Sequence, residues 1–589
     1  MMWIFHYFLL LYILTATSVF ARIREIELNL SIGNLNPDCF TQGYDVLMVN
    51  GQHPGPPIRV TKDDEVHITV RNHAIDESHA SSVHYHGILQ IGTPEADGMP
   101  NVTQSPIPPG GVFHSNFRVT GQVGTFFYHA HSLLQDQSVH GPFIIYESDH
   151  DWPATEDNND IAVDNKKLHE GPYEYDDERV IFISEWSHQE EQAELDYVMG
   201  SNFTGVKDPD SHLINGRTIY DPVSSLAQRQ SDDINCEGYS AIDVEPGKVY
   251  RLRVIGASTF SALGFSIARH KFTIIEVDGE LIQPYETDFL QVGPGQRFSI
   301  LLKADQEPNE SYYINTQAYF SLENQSNALA IVRYNTKNSK KHSIFQSYAW
   351  QASIPDMPHL PSPDTLQKQE WLFPQFQPIT PVNHDFKSSP DRTVVLMPLE
   401  EIMPDGTKRW VINKRPMAHW SPPLLEQLKT MHTNQHMKFN ETAIQLNKEG
   451  HHDGYDEDHQ TFPLKIGEVV DFVIHATVLQ DTHICASHPW HTHGMVHYPI
   501  ANGPGQYNHE QDKDLRTYPT PILRDTSIVY GVQPEEGTAA HVGTPCGWSK
   551  IRLFVMNPGV WGFHCHITAH MLQGMMTVLE VSPEQIPNL

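Results

Sequence analysis

The sequence predicts an all-β protein of several domains, on three observations. The chain has 589 residues, which is too long for one ordinary core and suggests roughly three to five domains. Short apolar segments of the kind that form strands recur along it, as at residues 66–70, 125–128, 298–302 and 551–555. The 42 prolines and 37 glycines are spread evenly, as expected for strands joined by turns. Few segments show the period of a helix, so a β-sandwich or barrel is favoured.

Two stretches with a different composition are predicted linkers. Residues 149–178 are rich in Asp, Glu and Asn, and residues 354–393 are rich in Pro. Cutting the chain there leaves three pieces of ordinary domain size. We therefore expect domains at residues 22–150, 178–350 and 390–589.

The N-terminus has the pattern of a secretory signal peptide. An apolar run to Leu14 has the length of a signal core, and Ala21 ends a plausible cleavage site. The alternative is a retained signal anchor. No later stretch is long and apolar enough to cross a membrane, so we expect a secreted, extracellular protein without a membrane span. Six glycosylation sequons agree with this expectation: Asn29, Asn101, Asn202, Asn309, Asn324 and Asn440.

Charge and cysteine count narrow the possible functions. The formal net charge of -33 argues against binding to nucleic acid or to anionic membranes. It is typical of a solvated acidic surface, although it could also attract cations. Five cysteines is an odd number, so in an oxidising compartment four can pair while one remains for chemistry. The sequence around Cys565 makes it the candidate for the unpaired one.

Four His-x-His pairs are candidate metal ligands. With 36 histidines, chance alone gives about two such pairs, so their contexts carry more weight than their number. Residues i and i+2 of a strand point to the same face, so each pair can present two imidazoles together. Eight such donors suffice for two or three ions of copper, zinc or iron between the first and last domains. An isolated pair is more often a surface feature. The pairs are His84/His86, His129/His131, His491/His493 and His564/His566.

Cys565 predicts a second, separate metal site. It lies between His564 and His566 and points to the opposite face of the strand. Two histidines, one cysteine and a weakly bound methionine make a blue-copper electron-transfer site, and His488, His570 and Met575 can complete this set. Cys565 would then connect that copper covalently to two ligands of the cluster. The alternative, a buried structural cysteine, does not explain the flanking residues.

Four segments together resemble the copper signatures of the multicopper oxidases, which include laccases, ascorbate oxidases and fungal ferroxidases. They are residues 83–87 (VHYHG), 124–131 (GTFFYHAH), 488–494 (HPWHTHG) and 564–575 (HCHITAHMLQGM). Weaker similarity extends over about residues 25–580. The resemblance implies three cupredoxin-like Greek-key β-sandwich domains and a copper-dependent oxidoreductase with oxygen as acceptor. It also implies four copper ions, with dioxygen and a small reducing substrate as partners.

The resemblance also implies a role for each matching residue. The type 1 copper would take His488, Cys565, His570 and Met575, and the type 2 copper would take His84 and His491. The type 3 pair would take His86, His129, His131, His493, His564 and His566.

Further residues follow from the same resemblance. Asp97 matches an acid that supports proton delivery to oxygen, although an Asp before Gly is also typical of a turn. Many relatives have an acid at the position of Thr568, so a second proton-relay carboxylate is in doubt here. Cys39 and Cys236 match a pair that links the first two domains of ascorbate oxidases. Cys485 and Cys546 are left over and could pair.

The expected function is oxidation of small organic reductants such as ascorbate, phenols or catechols. Met575 implies a modest potential for the type 1 copper, which suits easily oxidised donors. Trp186 could form part of an aromatic donor platform or belong to the core. The alternative is a ferroxidase, which needs carboxylates near His570, with Asp208, Asp210 and Asp288 as candidates. A non-catalytic copper-binding protein is the third hypothesis, and the sequence does not determine the oligomeric state.

Overall fold

Eight β-sheets form the framework of the described chain, and six of them pair into three sandwiches. The computed structural model describes residues 22–40, 43–153, 166–220, 238–319, 328–334, 373–380, 389–434, 439–532 and 541–587. The all-β class and the three cupredoxin-like units predicted from the sequence are confirmed.

The first sandwich consists of two four-stranded sheets around one core. In strand Glu65–Asn72 every second residue is buried, so Val66, Ile68 and Val70 face that core. Tyr85 and Tyr128 enter it from the opposite sheet. The strands, in sheet order, are Tyr44–Val49, Ile23–Leu35, Glu65–Asn72 and Val112–Arg118, then Ile58–Thr61, His140–Tyr146, Gly124–Ala130 and Val83–His86.

The second sandwich pairs a six-stranded sheet with a five-stranded one. Leu252 and Ile300 from one sheet and Phe265 and Ile314 from the other belong to the same buried core. In sheet order the strands are Ser211–Ile214, Asp177–Trp186, Val249–Gly256, Arg297–Lys303, Phe272–Val277 and Glu280–Thr287, then Ser240–Val244, Leu329–Tyr334, Ser311–Tyr319, Ala262–Ile267 and Phe289–Val292.

The third sandwich pairs a four-stranded sheet with a five-stranded one. Phe472 and Leu553 from the first sheet meet Trp490, Phe563 and Cys565 from the second in a common core. In sheet order the strands are Arg392–Leu396, Val469–Thr477, Pro545–Phe554 and His497–Pro504, then Phe462–Leu464, Met576–Val581, Gly559–Cys565, His488–Thr492 and Thr526–Val529.

Smaller elements surround the sandwiches. A two-stranded sheet consists of Leu168–Glu170 and Tyr173–Tyr175, and a three-stranded sheet of Pro398–Ile402, Lys408–Ile412 and Arg415–Pro416. The α-helices among the described residues are Glu191–Met199, Leu424–Thr433, Glu441–Lys448, His509–Asp512 and Thr568–Leu572. None of the helices in the described part of the chain is long and apolar enough to span a membrane.

The first predicted linker is more structured than its composition indicates. Its described part includes the two-stranded sheet, and its last residues begin strand Asp177–Trp186. The reason is a buried ion pair, since the Nη2 of Arg251 donates to the Oε1 of Glu170 at 3.0 Å. Composition cannot distinguish a solvated acid from one that is paired in this way. Residues 1–21, Asn324 and most of the second predicted linker lie outside the described residues.

Candidate metal centre

Strand pairing brings the four histidine pairs together. His84 lies opposite His129 in the register of strands Val83–His86 and Gly124–Ala130. His491 lies opposite His564 in the register of strands His488–Thr492 and Gly559–Cys565. The second member of three pairs, at positions 131, 493 and 566, follows directly after its strand ends. All eight side chains are buried, and they converge between the first and third sandwiches.

The ring nitrogens of these histidines meet at short distances. The Nε2 atoms of His84 and His491 are 3.5 Å apart, and those of His493 and His564 are 2.9 Å apart. Three groups of donors form, each with its ligand atoms within 4.8 Å of one another. The groups are His84, His86 and His491; His86, His129 and His566; and His131, His493 and His564.

Backbone carbonyls fix which nitrogen of each ring is free to bind a metal. The Nδ1 of His84 donates to the carbonyl oxygen of Asp97 at 2.7 Å, and that of His564 to the carbonyl oxygen of Cys565 at 2.9 Å. The Nδ1 of His129 likewise donates to a carbonyl, that of Ala130, at 2.8 Å. A neutral imidazole that donates through Nδ1 presents a lone pair at Nε2. The Nε2 atoms of these three histidines are therefore held as acceptors, whereas the Nε2 of His86 lies 3.2 Å from the Oδ1 of Asp525 and its Nδ1 faces the cluster.

The electrostatics of the cluster fit bound cations. Burial, followed by the neighbouring imidazoles, holds the pKa of His131, His491 and His564 well below its ordinary value. Neutral rings whose lone pairs face one another at about 3 Å repel unless a cation lies between them. Copper is among the ions that such imidazole sets bind, so the donor set fits the group that the sequence predicts.

Asp97 lies beside the cluster and also in a turn. The Nδ1 of His493 donates to its Oδ2 at 3.0 Å, and its side chain is fully buried. Burial alone would raise the pKa of this carboxyl, but His493 and His84 outweigh burial and hold the pKa well below its ordinary value. Its backbone N–H closes the short 3-10 helix Pro94–Ala96. The turn thus places an ionised carboxylate against two cluster histidines.

A second donor group lies on the other face of the same strand. The Sγ of Cys565 is 3.8 Å from the Nδ1 of His488 and 3.9 Å from the Nδ1 of His570. All three are buried, and Cys565 is the free cysteine among the described residues. Burial lowers the pKa of His488 to about 3 and raises that of the Cys565 thiol. A bound cation reverses the second shift, because it stabilises the thiolate.

Gly574 brings Met575 to this group. It ends the helix that carries His570, with φ at 112°, and a Cβ there would lie 2.5 Å from the carbonyl oxygen of Trp410. The backbone N–H of Cys565 then donates to the carbonyl of Met575 at 3.0 Å, and Met575 is fully buried. The four predicted type 1 residues therefore lie together.

The sequence did not predict two residues that lie beside the donors, Trp410 and Asp525. The ring of Trp410 lies 5.4 Å from that of His488 and 5.2 Å from that of His570, which shields both imidazoles from water. Asp525 accepts a hydrogen bond from the Nδ1 of His491 through its carbonyl oxygen at 3.0 Å. Neither residue has a local motif, so only the tertiary structure reveals its position.

The cysteine predictions have two outcomes. Cys485 and Cys546 form a disulfide, as expected. Cys39 is disulfide-bonded, but its predicted partner Cys236 lies outside the described residues.

A large cavity reaches His570. It has a volume of about 810 Å³, and its wall is mainly apolar, with contributions from Phe203, Phe260 and Leu479. Asp208, one of the candidate acids, also lines it, whereas Asp210 and Asp288 do not. Trp186 is not part of the lining. It is buried with Val46, Met48 and Leu213 at the junction of the first two sandwiches, which supports its core interpretation over the donor platform.

Comparisons with known proteins agree with this architecture. Three family models, each described as multicopper oxidase, match residues 30–150, 177–337 and 418–585. An L-ascorbate oxidase of Cucurbita pepo var. melopepo is 28% identical over 567 residues, covering 92% of each chain. A laccase-like multicopper oxidase of Thermothelomyces thermophilus is 28% identical over 601 residues, covering 94% of this chain and 86% of the relative. The crystal structure of Fet3p, a multicopper oxidase that functions in iron import, has a TM-score of 0.71 at 23% identity and covers 96% of this chain and 92% of that one.

Fold and donor sets together define a copper-dependent oxidoreductase that uses oxygen as acceptor. Family models match the chain in each of its three sandwiches. The chain belongs to the multicopper oxidase family.

Proposed function

We propose that this protein oxidises small organic reductants at the cavity beside His570 and reduces dioxygen to water at the histidine cluster, using four copper ions. The observation that carries the proposal is the position of His570, which lines the cavity and lies in the same donor group as Cys565. Cys565 in turn separates two histidines of the cluster, His564 and His566. The short segment of residues 564–570 would thereby join the reductant site to the oxygen site.

Copper would supply the one-electron redox chemistry at both sites. His488, Cys565, His570 and Met575 would hold the type 1 ion. His84 and His491 would hold the type 2 ion. The remaining six cluster histidines would hold the type 3 pair, as two groups of three: His86, His129 and His566, and His131, His493 and His564.

The protein's own residues would orient the ligands and exclude water. Carbonyl acceptors fix the tautomers of four cluster histidines, and Asp97 orients His493 while remaining ionised. Trp410 packs against His488 and His570; His488 is almost fully buried, whereas His570 also lines the cavity. The covalent path from Cys565 to its neighbours His564 and His566 would carry each electron. A hydrogen bond from the Nδ1 of His564 to the carbonyl of Cys565 also connects the two residues.

The cavity wall supports an organic reductant. Phe203, Phe260 and Leu479 offer apolar contact to a ring, and Lys207 adds a cation. The Lys207 ammonium is 4.1 Å from the centroid of the Tyr197 ring, which also lines the cavity. A wall with this chemistry suits a neutral phenol or an anionic reductant such as ascorbate.

Oxygen uptake tests the substrate class. The specificity constants for ascorbate, a catechol and ferrous iron should be measured with the same copper-loaded preparation. We expect both organic donors to exceed iron. A preference for iron of more than about a hundredfold, roughly 2.7 kcal/mol of differential barrier, would contradict the proposal.

A ferroxidase is the second candidate, because three acids line the same cavity. They are Asp208, Glu400 and Asp481. Carboxylates of this kind bind ferrous iron. Asp481 forms an ion pair with Lys408, and Glu400 accepts a hydrogen bond from the backbone of Gln480. Together with Lys207, these contacts favour the organic reductant.

The remaining predictions form part of the same proposal. The three domains would span residues 22–150, 178–350 and 390–589, with the cluster between the first and the last. The protein would be secreted after removal of residues 1–21, with glycans on some of the six sequons. Mass spectrometry of the mature protein tests the removal of residues 1–21 and the glycosylation, because it reports the first residue and each modified Asn.

A further inference from the structure

A buried carboxylate with no role so far lies beside the histidine cluster. Asp136 is the central residue of the 3-10 helix Gln135–Gln137, and only 8% of it is exposed. Its Oδ2 accepts a hydrogen bond from the Oγ1 of Thr568 at 2.5 Å. Its Oδ1 is buried and has no hydrogen-bond partner among the described residues. A buried, half-satisfied carboxylate is costly, so its presence needs a reason.

The surroundings of Asp136 point to oxygen chemistry. Asp136 and Thr568 line a small cavity of about 10 Å³, close to the volume that one water molecule requires. Four histidines from both groups of the proposed type 3 pair line the same cavity: His129, His131, His564 and His566. The cavity thus connects a carboxyl group with the site where oxygen would be reduced.

We propose that Asp136 is a proton-relay acid for oxygen reduction, and that it fills from the first sandwich the role that a carboxylate at position 568 would have. This inference rests on the proposed function. Reduction of one dioxygen to two waters takes four electrons and four protons. The electrons come from four one-electron oxidations of the reductant. For each proton, the O–H bond of Asp136 breaks, a new O–H bond forms on the reduced oxygen, and the carboxylate takes up another proton from solvent.

Two partly exposed acids lie near Asp136. Helix Glu191–Met199 packs near it and carries Glu191 and Glu194, both half-buried. The Nε2 of Gln137 donates to both carboxylate oxygens of Glu194 at 3.2 Å, which fixes that helix to the 3-10 helix of Asp136. The charges of Glu191 and Glu194 both act on Asp136. In this proposal Glu191 and Glu194 would pass protons from solvent to the buried acid.

The acidity of Asp136 suits this task. Burial, the largest cause, together with the charges of Glu191 and Glu194, raises the pKa of Asp136 to about 7, while the hydroxyl of Thr568 lowers it. An acid with a pKa near neutrality is protonated often enough to donate and is readily reprotonated. Asp97 differs in this respect, because its pKa is held far below that range and it is suited to orienting histidines.

A purely structural role of Asp136 predicts a different activity for the Asp136→Asn variant. The bond between Asp136 and Thr568 also ties the 3-10 helix of the first sandwich to the helix that carries His570. An Asn at position 136 keeps an oxygen that can accept the Thr568 hydroxyl, so it preserves that link while removing the proton. Activity that survives Asp136→Asn would therefore indicate structure, and activity that is lost would indicate proton transfer.

Reoxidation of the chemically reduced, copper-loaded enzyme by dioxygen tests the relay by itself, because it requires no particular reductant. We expect Asp136→Asn to slow reoxidation about 100-fold. We also expect the rate of the parent enzyme to decline as pH rises through about 7, and Asp136→Asn to abolish this decline. Asp136→Glu and the double variant Asp136→Asn/Thr568→Glu should recover most of the rate, since each restores a carboxyl at the cavity. Thr568→Val keeps the acid and should cost less than about tenfold.

Infrared titration of the copper-free protein gives a second readout that does not depend on activity. The parent should show a protonated carboxyl band with a midpoint near pH 7 that Asp136→Asn removes. Parent-like reoxidation by Asp136→Asn, or an infrared midpoint near the ordinary pKa of Asp, would overturn the proposal. Failure of the proposed function has a different signature, namely no anaerobic reduction of the type 1 copper by organic donors in the parent itself.

Discussion

Arg297 and Asp525 form a buried ion pair with two hydrogen bonds that ties the second sandwich to the histidine cluster. The Nη1 and Nη2 of Arg297 donate to the Oδ1 and Oδ2 of Asp525, each at 2.6 Å. The carbonyl of Asp525 accepts the Nδ1 of His491, and its Oδ1 lies 3.2 Å from the Nε2 of His86. The second sandwich supplies none of the predicted copper ligands, yet through this pair it orients two of them.

Replacing Arg297 should therefore affect both stability and metal binding. Arg297→Ala leaves the Asp525 charge buried and unpaired, which costs about 3–5 kcal/mol. We expect a lower urea midpoint for the copper-free protein and weaker retention of copper during dialysis against a chelator. The control is Arg333→Ala, since Arg333 pairs with Asp243 at a partly exposed position where a pair contributes at most about 1 kcal/mol. Equal effects of the two substitutions would contradict the role given to Arg297.

Cys565→Ser tests the division of the donors into two sites. A serine hydroxyl is a poor ligand for the type 1 copper, whereas His564 and His566 keep their carbonyl and imidazole contacts. We expect loss of an intense blue absorption, with copper analysis showing about one ion fewer per chain and the other ions retained. The control is Cys485→Ser/Cys546→Ser, which removes the two sulfur atoms of the disulfide and should keep the colour. Persistent blue colour in Cys565→Ser would show that the assignment is wrong.

The sequence predicted those parts of the site that depend on short-range geometry. Cys565 and His564 point to opposite faces at the end of one strand, as two-residue alternation requires, and His566 follows directly after it. The strand period fixes this arrangement. The pairing of His84 with His129 and of His491 with His564 depends on the register between strands, which the sequence did not predict.

Contacts between distant segments could not be predicted in this way. Asp136 approaches Thr568 across 432 residues of sequence, and Arg297 approaches Asp525 across 228. Neither acid stands in a pattern that marks it, since acidic residues are common along this chain. The neutral Thr568 puts a second relay acid in doubt on sequence alone. The structure shows that its hydroxyl donates a hydrogen bond to Asp136, an acid of the first sandwich. Such pairs become visible only when the sandwiches are assembled.

Lys207 should distinguish reductants by charge. Lys207→Gln removes a cation from the cavity wall without changing its apolar part. We expect about a 3- to 10-fold loss in kcat/KM for ascorbate, from about 1 kcal/mol of lost attraction at an exposed site, and little change for a neutral catechol. Lys271→Gln is the matched control, because its side chain is exposed and pairs with Glu286 away from the cavity. A similar loss for both reductants would show that the charge does not select between them.

The disulfide between Cys485 and Cys546 should stabilise the third sandwich. It joins residues 61 positions apart, and a loop of this length is worth about 4 kcal/mol on the chain-entropy account. Cys485→Ala/Cys546→Ala should therefore lower the melting temperature of the protein. Thr544→Ala, an exposed change in the same region, should leave it unchanged. Because Cys485 also lines the cavity, KM for the reductant should be recorded too.

The histidine cluster should make the copper-free protein sensitive to acid. Burial, followed by neighbouring imidazoles, lowers the pKa of His129, His131 and His491 in the folded state, while the unfolded chain keeps values near 6.5. The unfolded state then binds more protons below about pH 6.5, so stability is greatest above that pH and falls as the pH decreases. Asp136 and other acids such as the half-buried Glu191 have the opposite sign, because their raised pKa favours the folded state at lower pH, but the buried histidines with a lowered pKa are more numerous. The urea midpoint should thus be lower at pH 5 than at pH 7.5, and copper should dissociate faster at pH 5, since protons compete for the same nitrogens. A midpoint that is equal or higher at pH 5 would mean that these imidazoles are not held neutral by the fold.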